Sequence, residues 1–353
     1  MREPSEKQAL TEIPRVLSKL LRIPEHEVTL EKHPGRVNSR SDLVASAAGY
    51  TFIVEFRTSA AKAPLLSALA RISEYVDLFG PDTIPLIVVP YMGNVGQDLC
   101  QQSEVSWLDL SGNADIQAPG LLLRVEGKPN RFKRVGRPPN AFSPKSSRVA
   151  RQFLLQPDRI FTQRELAQEA DLDEGYTSRI VRRLEQDELI ARTDERSLRA
   201  VDPDLLLDSW HEVYDFSRHE IIKGHIAARS GDELLRRIDQ SLNQQNVEHA
   251  ATGLGAAWLF THFAAFRTAT FFLRYKPSEK ILQKLSFRKD ERGANTWLVV
   301  PNDDGVFQGS EAQEEIQCVH PVQIYLDLKG HAERASEAAN ELRRDYLNWR
   351  QDA

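Results

Sequence analysis

The stretch FSPKSSRVARQFLLQPDRIFTQRELAQEADLDEGYTSRIVRRLEQDELIAR, residues 142–192, constrains the fold most tightly, because its apolar residues recur at helical spacing in three short runs parted by turn signals. The spacing predicts a first helix over 145–156, closed by Pro157 and Asp158. Thr162 followed by Glu165 forms a T-x-x-E capping box, which opens a second helix on TQRELAQEA. After the turn DLDEG a third helix is predicted over 176–190. In it Ile180, Val181, Leu184 and Leu189 face inward, leaving Thr177, Ser178, Arg179, Arg182 and Arg183 largely on the other side. The next residues, ARTDERSLRAVD, offer two short strands around Asp194, Glu195 and Arg196.

Together these elements resemble a winged helix-turn-helix domain over roughly residues 144–202. The resemblance implies double-stranded DNA as partner, with the start of the third helix in the major groove. It makes Arg179, Arg182 and Arg183 candidates for base or phosphate contacts, and Thr177 and Ser178 for backbone positioning. Arg164 and Tyr176 join the same candidate interface, and Arg192, Arg196 and Arg199 lie on the wing. Paired half-sites imply a homodimer. The bland alternative is a three-helix scaffold whose arginines only solvate its surface.

Charge sharpens the contrast between the readings. The chain totals −5, yet residues 124–151 hold nine basic residues (Arg124, Lys128, Arg131, Lys133, Arg134, Arg137, Lys145, Arg148 and Arg151) against the single acid Glu126. That asymmetry points to an anionic polymer. The segment KPNRFKRVGRPPNAFSPKSS, with four prolines and few large apolar residues, reads as a linker. Within it Gly136, Arg137 and Pro138 resemble the core of an AT-hook, with Val135 where that motif has a second arginine. Arg134 and Arg137 are therefore candidates for a minor-groove arm, with an ordinary basic linker as the alternative.

At 353 residues, 41% hydrophobic and 27% charged, the chain is long enough for two or three globular domains. The expected class is α+β multidomain: 1–129 an α/β domain with a mixed sheet, 130–144 the linker, 145–203 the winged helix and 204–353 a further α+β domain. In the first, an opening helix over 6–21 places Leu10, Ile13, Leu17 and Leu20 or Leu21 on one face. The runs HEVTLEK, SDLVASA, YTFIVEFR, TIPLIVVPY, SEVSWLDL and LLLRVEG read as strands, with a helix over 64–79 between the third and fourth.

Asp42, followed after twelve residues by Glu55-Phe56-Arg57 on a strand and then by a long helix, resembles the PD-(D/E)xK restriction-endonuclease-like fold. That resemblance implies Mg²⁺ held by Asp42 and Glu55, with position 57 managing charge. Alternation does put Glu55 and Arg57 on one face. Two departures weigh against activity: Ser41 stands where the family has proline, and Arg57 replaces lysine with an always-charged fork. The expectation is a catalytically silent fold with no cofactor. The alternatives are an Mg²⁺-dependent endonuclease using Asp42, Glu55 and Arg57, and an unrelated α/β domain in which Glu55 and Arg57 are an ion pair. Asp109 and Asp115, flanking the Gly112-Asn113 turn, are read as turn and strand-end carboxylates.

Beyond residue 204, LLLDSWHEVYDF, a run near 232–245 and a closing run over 331–349 read as helices, while ATFFLRY, TWLVVP and PVQIYLDL read as strands. HAATGLGAAWLF and HPVQIYLDLKGHAERASEAANELRR resemble the C-terminal half of AbiEi-type antitoxins from type IV toxin–antitoxin systems. The resemblance implies a DNA-binding autorepressor, with a cognate toxin as a further partner. An antitoxin acting mainly by binding its partner protein is another alternative. The turn Thr252-Gly253-Leu254-Gly255 resembles the phosphate-binding turn of nucleotidyltransferases, but FRTATFFLRY lacks the carboxylate pair that two-metal chemistry needs. His211, His219, His225, His249 and His262 lack metal-ligand spacing. Two cysteines, no secretory-type apolar run in MREPSEKQAL and no membrane-length apolar stretch lead to the expectation of a cytoplasmic protein without a membrane partner.

Overall fold

The computed structural model describes residues 6–32, 43–79, 83–132, 141–193, 195, 197–263, 265–290, 292–331 and 334–349. The chain folds as two compact units, residues 1–138 with 186–188, and residues 139–185 with 189–353.

In the first unit, α1 (Glu6–Leu21) leads into β1 (Thr29–Lys32), β2 (Leu43–Ala47) and β3 (Tyr50–Phe56). Then come α2 (Lys62–Phe79), β4 (Thr83–Val89), α3 (Asn94–Gln102), β5 (Ser106–Asp109), β6 (Ala114–Ala118) and β7 (Leu121–Val125). The seven strands form one sheet in sequential order. Parallel β3, β4 and β5 occupy its centre, because α2 and α3 supply the crossovers that parallel pairing requires. Antiparallel pairs flank them on both sides.

The period-two alternation of the strands gives each face its own core. Phe52, Val54, Leu86, Val88 and Leu108 pack with Ile13 and Leu17 of α1, whereas Ile87, Val89 and Trp107 pack with Leu65, Ile72 and Cys100 of the other two helices. The strand runs were legible in the sequence; α3 was not expected. Phe132 is buried against the α1 side, the Lys128 amide donates to Asn113 Oδ1 at 2.7 Å, and the Arg131 amide donates to Ser111 Oγ at 3.2 Å. The start of the expected linker is therefore packed structure.

The second unit begins with α4 (Ser147–Leu155), α5 (Gln163–Glu169), α6 (Glu174–Gln186), β8 (Ile190–Arg192) and β9 (Leu198–Ala200). It continues through α7 (Pro203–Val213), β10 (Glu220–His225), α8 (Gly231–Gln244), β11 (His249–Thr252), α9 (Gly253–Thr261), β12 (Ala269–Leu273), α10 (Glu279–Lys284) and β13 (Arg288–Lys289). The last elements are β14 (Thr296–Val300), β15 (Glu311–Gln313), β16 (Ile316–Cys318), α11 (Pro321–Leu328) and α12 (Ala335–Tyr346). A mixed sheet orders its strands β13-β10-β14-β12-β11-β16-β15, and β8 pairs with β9 alone.

One expected strand is corrected: PVQIYLDL is the helix α11. Pro321 occupies its first turn, His320 caps it by accepting the Val322 amide, and all eight residues are buried. A short helix buried all round shows no polar face, so its apolar run reads like a buried strand. Cys100 and Cys318 are both free and buried. Among the described residues no helix is long and apolar enough to cross a membrane.

Candidate nucleic-acid interface

The third helix of the 142–192 segment owes its orientation to an apolar seam. Ile180, Val181 and Leu184 of α6 are buried with Val149 and Phe153 of α4 and Leu166 of α5. Thr162 and Glu165 cap α5 reciprocally, as the sequence requires. The helix α6 starts at Glu174 and ends at Gln186, shorter at its C-terminal end than the 176–190 expected, because Ile190 pairs with Ala200 in the hairpin. Phe161 exchanges backbone hydrogen bonds with Leu198 at 2.8 and 2.7 Å and so ties the hairpin to the entry of α5.

This frame leaves Arg179 and Arg182 of α6, Arg164 of α5 and Arg199 of β9 exposed, with Ser178 and Arg183 half-buried. Arg192 is exposed but held by Glu185, its Nε 2.7 Å from the carboxylate. Thr177 is a correction. It is fully buried and its hydroxyl donates to the Asp173 carbonyl at 3.0 Å, so it fastens the first turn of α6 and is not placed to touch a ligand. Arg134, Arg137, Arg196 and Asp42 lie outside the described residues, as do Gly136 and Pro138 of the AT-hook-like stretch.

Tyr176 does more than its sequence position indicates. Its ring lies under the Arg179 guanidinium at 5.4 Å and near the Lys145 ammonium at 5.8 Å, and its hydroxyl bonds Ser146 Oγ at 2.8 Å. Lys145, absent from the sequence-derived candidates, thereby joins the α6 surface; only a contact thirty-one residues away in sequence reveals it.

Several described arginines of the cationic stretch are held by protein partners, so the count of charges overstates what a polyanion could meet. Arg124 pairs with Asp115 at 2.7 Å, and Arg131 Nη1 donates to the Leu110 carbonyl. Arg148 grips Asp303 with two bonds, Nε–Oδ1 2.7 Å and Nη2–Oδ2 3.0 Å, and also reaches Asp171 at 3.1 Å. The hydrogen bond to Asp303 is the main reason its pKa is raised. Arg151 is 2% exposed and turns inward.

Beneath Arg151 lies a buried polar network. Its Nη2 donates to Gln323 Oε1 at 2.5 Å, and Gln323 Nε2 donates to the Tyr214 hydroxyl at 3.0 Å and to Asp327 Oδ1 at 2.7 Å. Thr252 Oγ1 donates to Asp327 Oδ2 at 2.5 Å. Because His219 Nδ1 accepts the Asn302 amide, its Nε2 carries the proton given to Tyr214, whose hydroxyl donates onward to Asp327. Burial pushes Asp327 up to about 7, against the donors that favour its charged form. Burial lowers His219 to about 4 and keeps it neutral.

Two alternative chemistries are not supported by their geometry. Glu55, 2% exposed, has Arg57 Nη1 in ion-pair contact and Arg71 Nη1 at 3.5 Å. Arg57 also donates to the Pro64 carbonyl and Ser67 Oγ. Two guanidiniums already supply the counter-charge of Glu55, which disfavours its use as a ligand for hydrated Mg²⁺. The buried Asp109 accepts from the Met92 and Asn113 amides and from Asn113 Nδ2, the expected turn role. Among the described residues no group of three or more His, Cys, Asp or Glu is arranged to hold a metal. At the Gly253 turn, a Cβ would meet His331 Nε2 at 2.5 Å, and one at Gly255 would meet Leu235 Cδ1 at 2.9 Å. Side chains fill the space a phosphate would take.

A helical trio with a seated third helix, an exposed basic face and a hairpin wing is a winged helix-turn-helix, and the chain is a DNA-binding transcriptional regulator. Residues 159–201 match the model of the MarR family, and residues 199–348 match the family described as "Transcriptional regulator, AbiEi antitoxin, Type IV TA system". No curated protein and no solved structure matched the chain.

Proposed function

We propose that this regulator reads a specific double-stranded operator as a homodimer, with α6 in the major groove, and represses its own promoter in the manner of an antitoxin paired with a cognate toxin. The observation that carries the reading is the surface formed by exposed Arg179 and Arg182 and half-buried Ser178, on a helix whose opposite face is buried. Arg164 and Arg199 extend it towards phosphates, and Tyr176 pre-orients Arg179. The AbiEi-type match supports the antitoxin role. The N-terminal unit serves this function without nuclease chemistry, because Glu55 is held by Arg57 and Arg71.

Fluorescence anisotropy on the protein's own promoter tests the reading. Arg182→Ala costs about 1–3 kcal/mol and relaxes preference at one base pair if the side chain reads a base. If it meets a phosphate, binding weakens on all sequences and the salt slope falls by about one unit. Unchanged affinity and unchanged slope would remove α6 from the interface.

A further inference from the structure

Arg151 is the buried cation that the DNA-reading surface does not use. Its Nη2 is engaged by Gln323 and its guanidinium stacks over Trp210 at 5.0 Å, itself stacked on Phe142 at 6.2 Å. Its Nε and Nη1 are buried and meet no acceptor among the described residues. Native structures leave few buried donors without a partner, and a buried guanidinium calls for a counter-charge. Burial lowers its pKa only to about 10, so it stays charged at neutral pH.

The same guanidinium lines a cavity of about 40 Å³ bounded by Trp210, Tyr214, His219, Asn302 and Val213. At roughly 10–15 Å³ for each water, that volume takes a few waters or one compact anion. The acids at its wall are already engaged. Asp303 is gripped by Arg148 and accepts the Gly305 amide, and Asp215 accepts from Ser217 and faces Arg218. His219 is neutral with both ring nitrogens bonded. Among the described residues lining the cavity, Arg151 is thus a cation with two hydrogen-bond donors still unmatched.

We propose that this cavity is a binding site for a small oxyanion, a carboxylate or phosphate group on a compact solute, held by the Arg151 guanidinium between α4 and the α7–α11 side of the unit. Trp210 and Asn302 are part of the cavity's lining. The site also has a route to the DNA-reading surface. The helix that carries Arg151 follows directly on Lys145 and Ser146, both of which touch Tyr176 of α6. Any effect of the anion on operator binding rests on the reading of α6 given above; occupancy of the cavity does not.

Calorimetric titration of the full-length protein without DNA tests occupancy, with sodium phosphate and sodium acetate as probes at constant ionic strength in chloride buffer. Saturable one-to-one binding of phosphate identifies a phosphoryl group as the recognised chemistry, and of acetate a carboxylate. Arg151→Met weakens the response about tenfold or more, the factor that one charge-assisted hydrogen bond supplies. Val213→Trp fills the mouth from an exposed position, leaves the buried network intact and abolishes the response, so the test survives a folding defect in the first variant. The Arg151 Nε–H resonance shifts on titration of the wild type. No saturable binding of either anion, or binding undiminished in either folded variant, overturns the proposal and leaves ordered water as the partner of Arg151.

Discussion

Replacing Arg148 with alanine tests how α4 is fastened to the rest of its unit. Arg148 and Asp303 are 12% and 11% exposed, their pairing is bidentate, and Asp171 adds a third contact that is itself largely solvated. Breaking a buried pair from one side costs about 3–5 kcal/mol, chiefly because the abandoned charge stays desolvated. Asp303 keeps the Gly305 amide at 2.8 Å, which lowers the expected loss to about 2–3 kcal/mol. For a unit of about 210 residues, at about 2–4 °C per kcal/mol, the transition falls by about 4–12 °C. Differential scanning calorimetry of Arg148→Ala, Asp303→Asn and the double variant reads the coupling. The double variant is less destabilised than the sum of the singles by at least about 1 kcal/mol. A transition within about 1 °C of wild type, or strict additivity, would show that apolar contacts of Val149 and Phe153 alone hold the helix.

Acid should destabilise the protein. His219 and His320 sit at about 4 in the folded chain against an ordinary 6.5, both through burial. Between those values the unfolded chain binds protons that the folded chain refuses, so stability is present above pH 6.5 and drains away as pH falls towards 4, by up to about 3 kcal/mol per histidine. Asp327, raised to about 7 from 3.8, works in the opposite direction over the same interval, leaving a net loss. Urea melts at stepped pH register it, and His219→Gln flattens the curve; stability that rises on acidification contradicts the assignment. Phe132→Ala removes a ring from the α1-side core and lowers the stability of the N-terminal unit by about 2–4 kcal/mol, whereas an indifferent variant would return that residue to the linker. Glu55→Gln strips the counter-charge from Arg57 and Arg71, costs about 2–4 kcal/mol, and leaves supercoiled DNA with Mg²⁺ as intact as the wild type does. Wild-type nicking that vanished in this variant would restore the endonuclease alternative.

Local signals carried the reader segment. The T-x-x-E box, the spacing of Ile180, Val181 and Leu184, and the two runs around residues 194–196 each state a short-range preference that the fold respects. The sheet of the N-terminal unit was legible for the same reason, since half-buried and buried strands announce themselves by composition. Long-range partners were not legible. Arg148, Arg151 and Arg179 are alike as letters, yet one meets Asp303, one lies under Trp210 and one covers Tyr176. A count of charges adds such residues together, whereas burial decides which of them a polyanion can reach. Thr177 failed as a candidate through its own chemistry, because a β-branched hydroxyl near a helix start readily turns back to the backbone.

The double allegiance of α4 bears on how this architecture can be recombined. Its apolar side completes the three-helix trio, while Arg148 and Arg151 are inserted into the body formed by residues 203 onwards. A winged helix transplanted from another regulator would arrive without those two arginines, leaving Asp303 and Gln323 facing the wrong residues. Exchange of reading heads among such chains therefore demands paired changes on both sides of residue 203, and an excised fragment that stops there exposes a guanidinium meant for the interior.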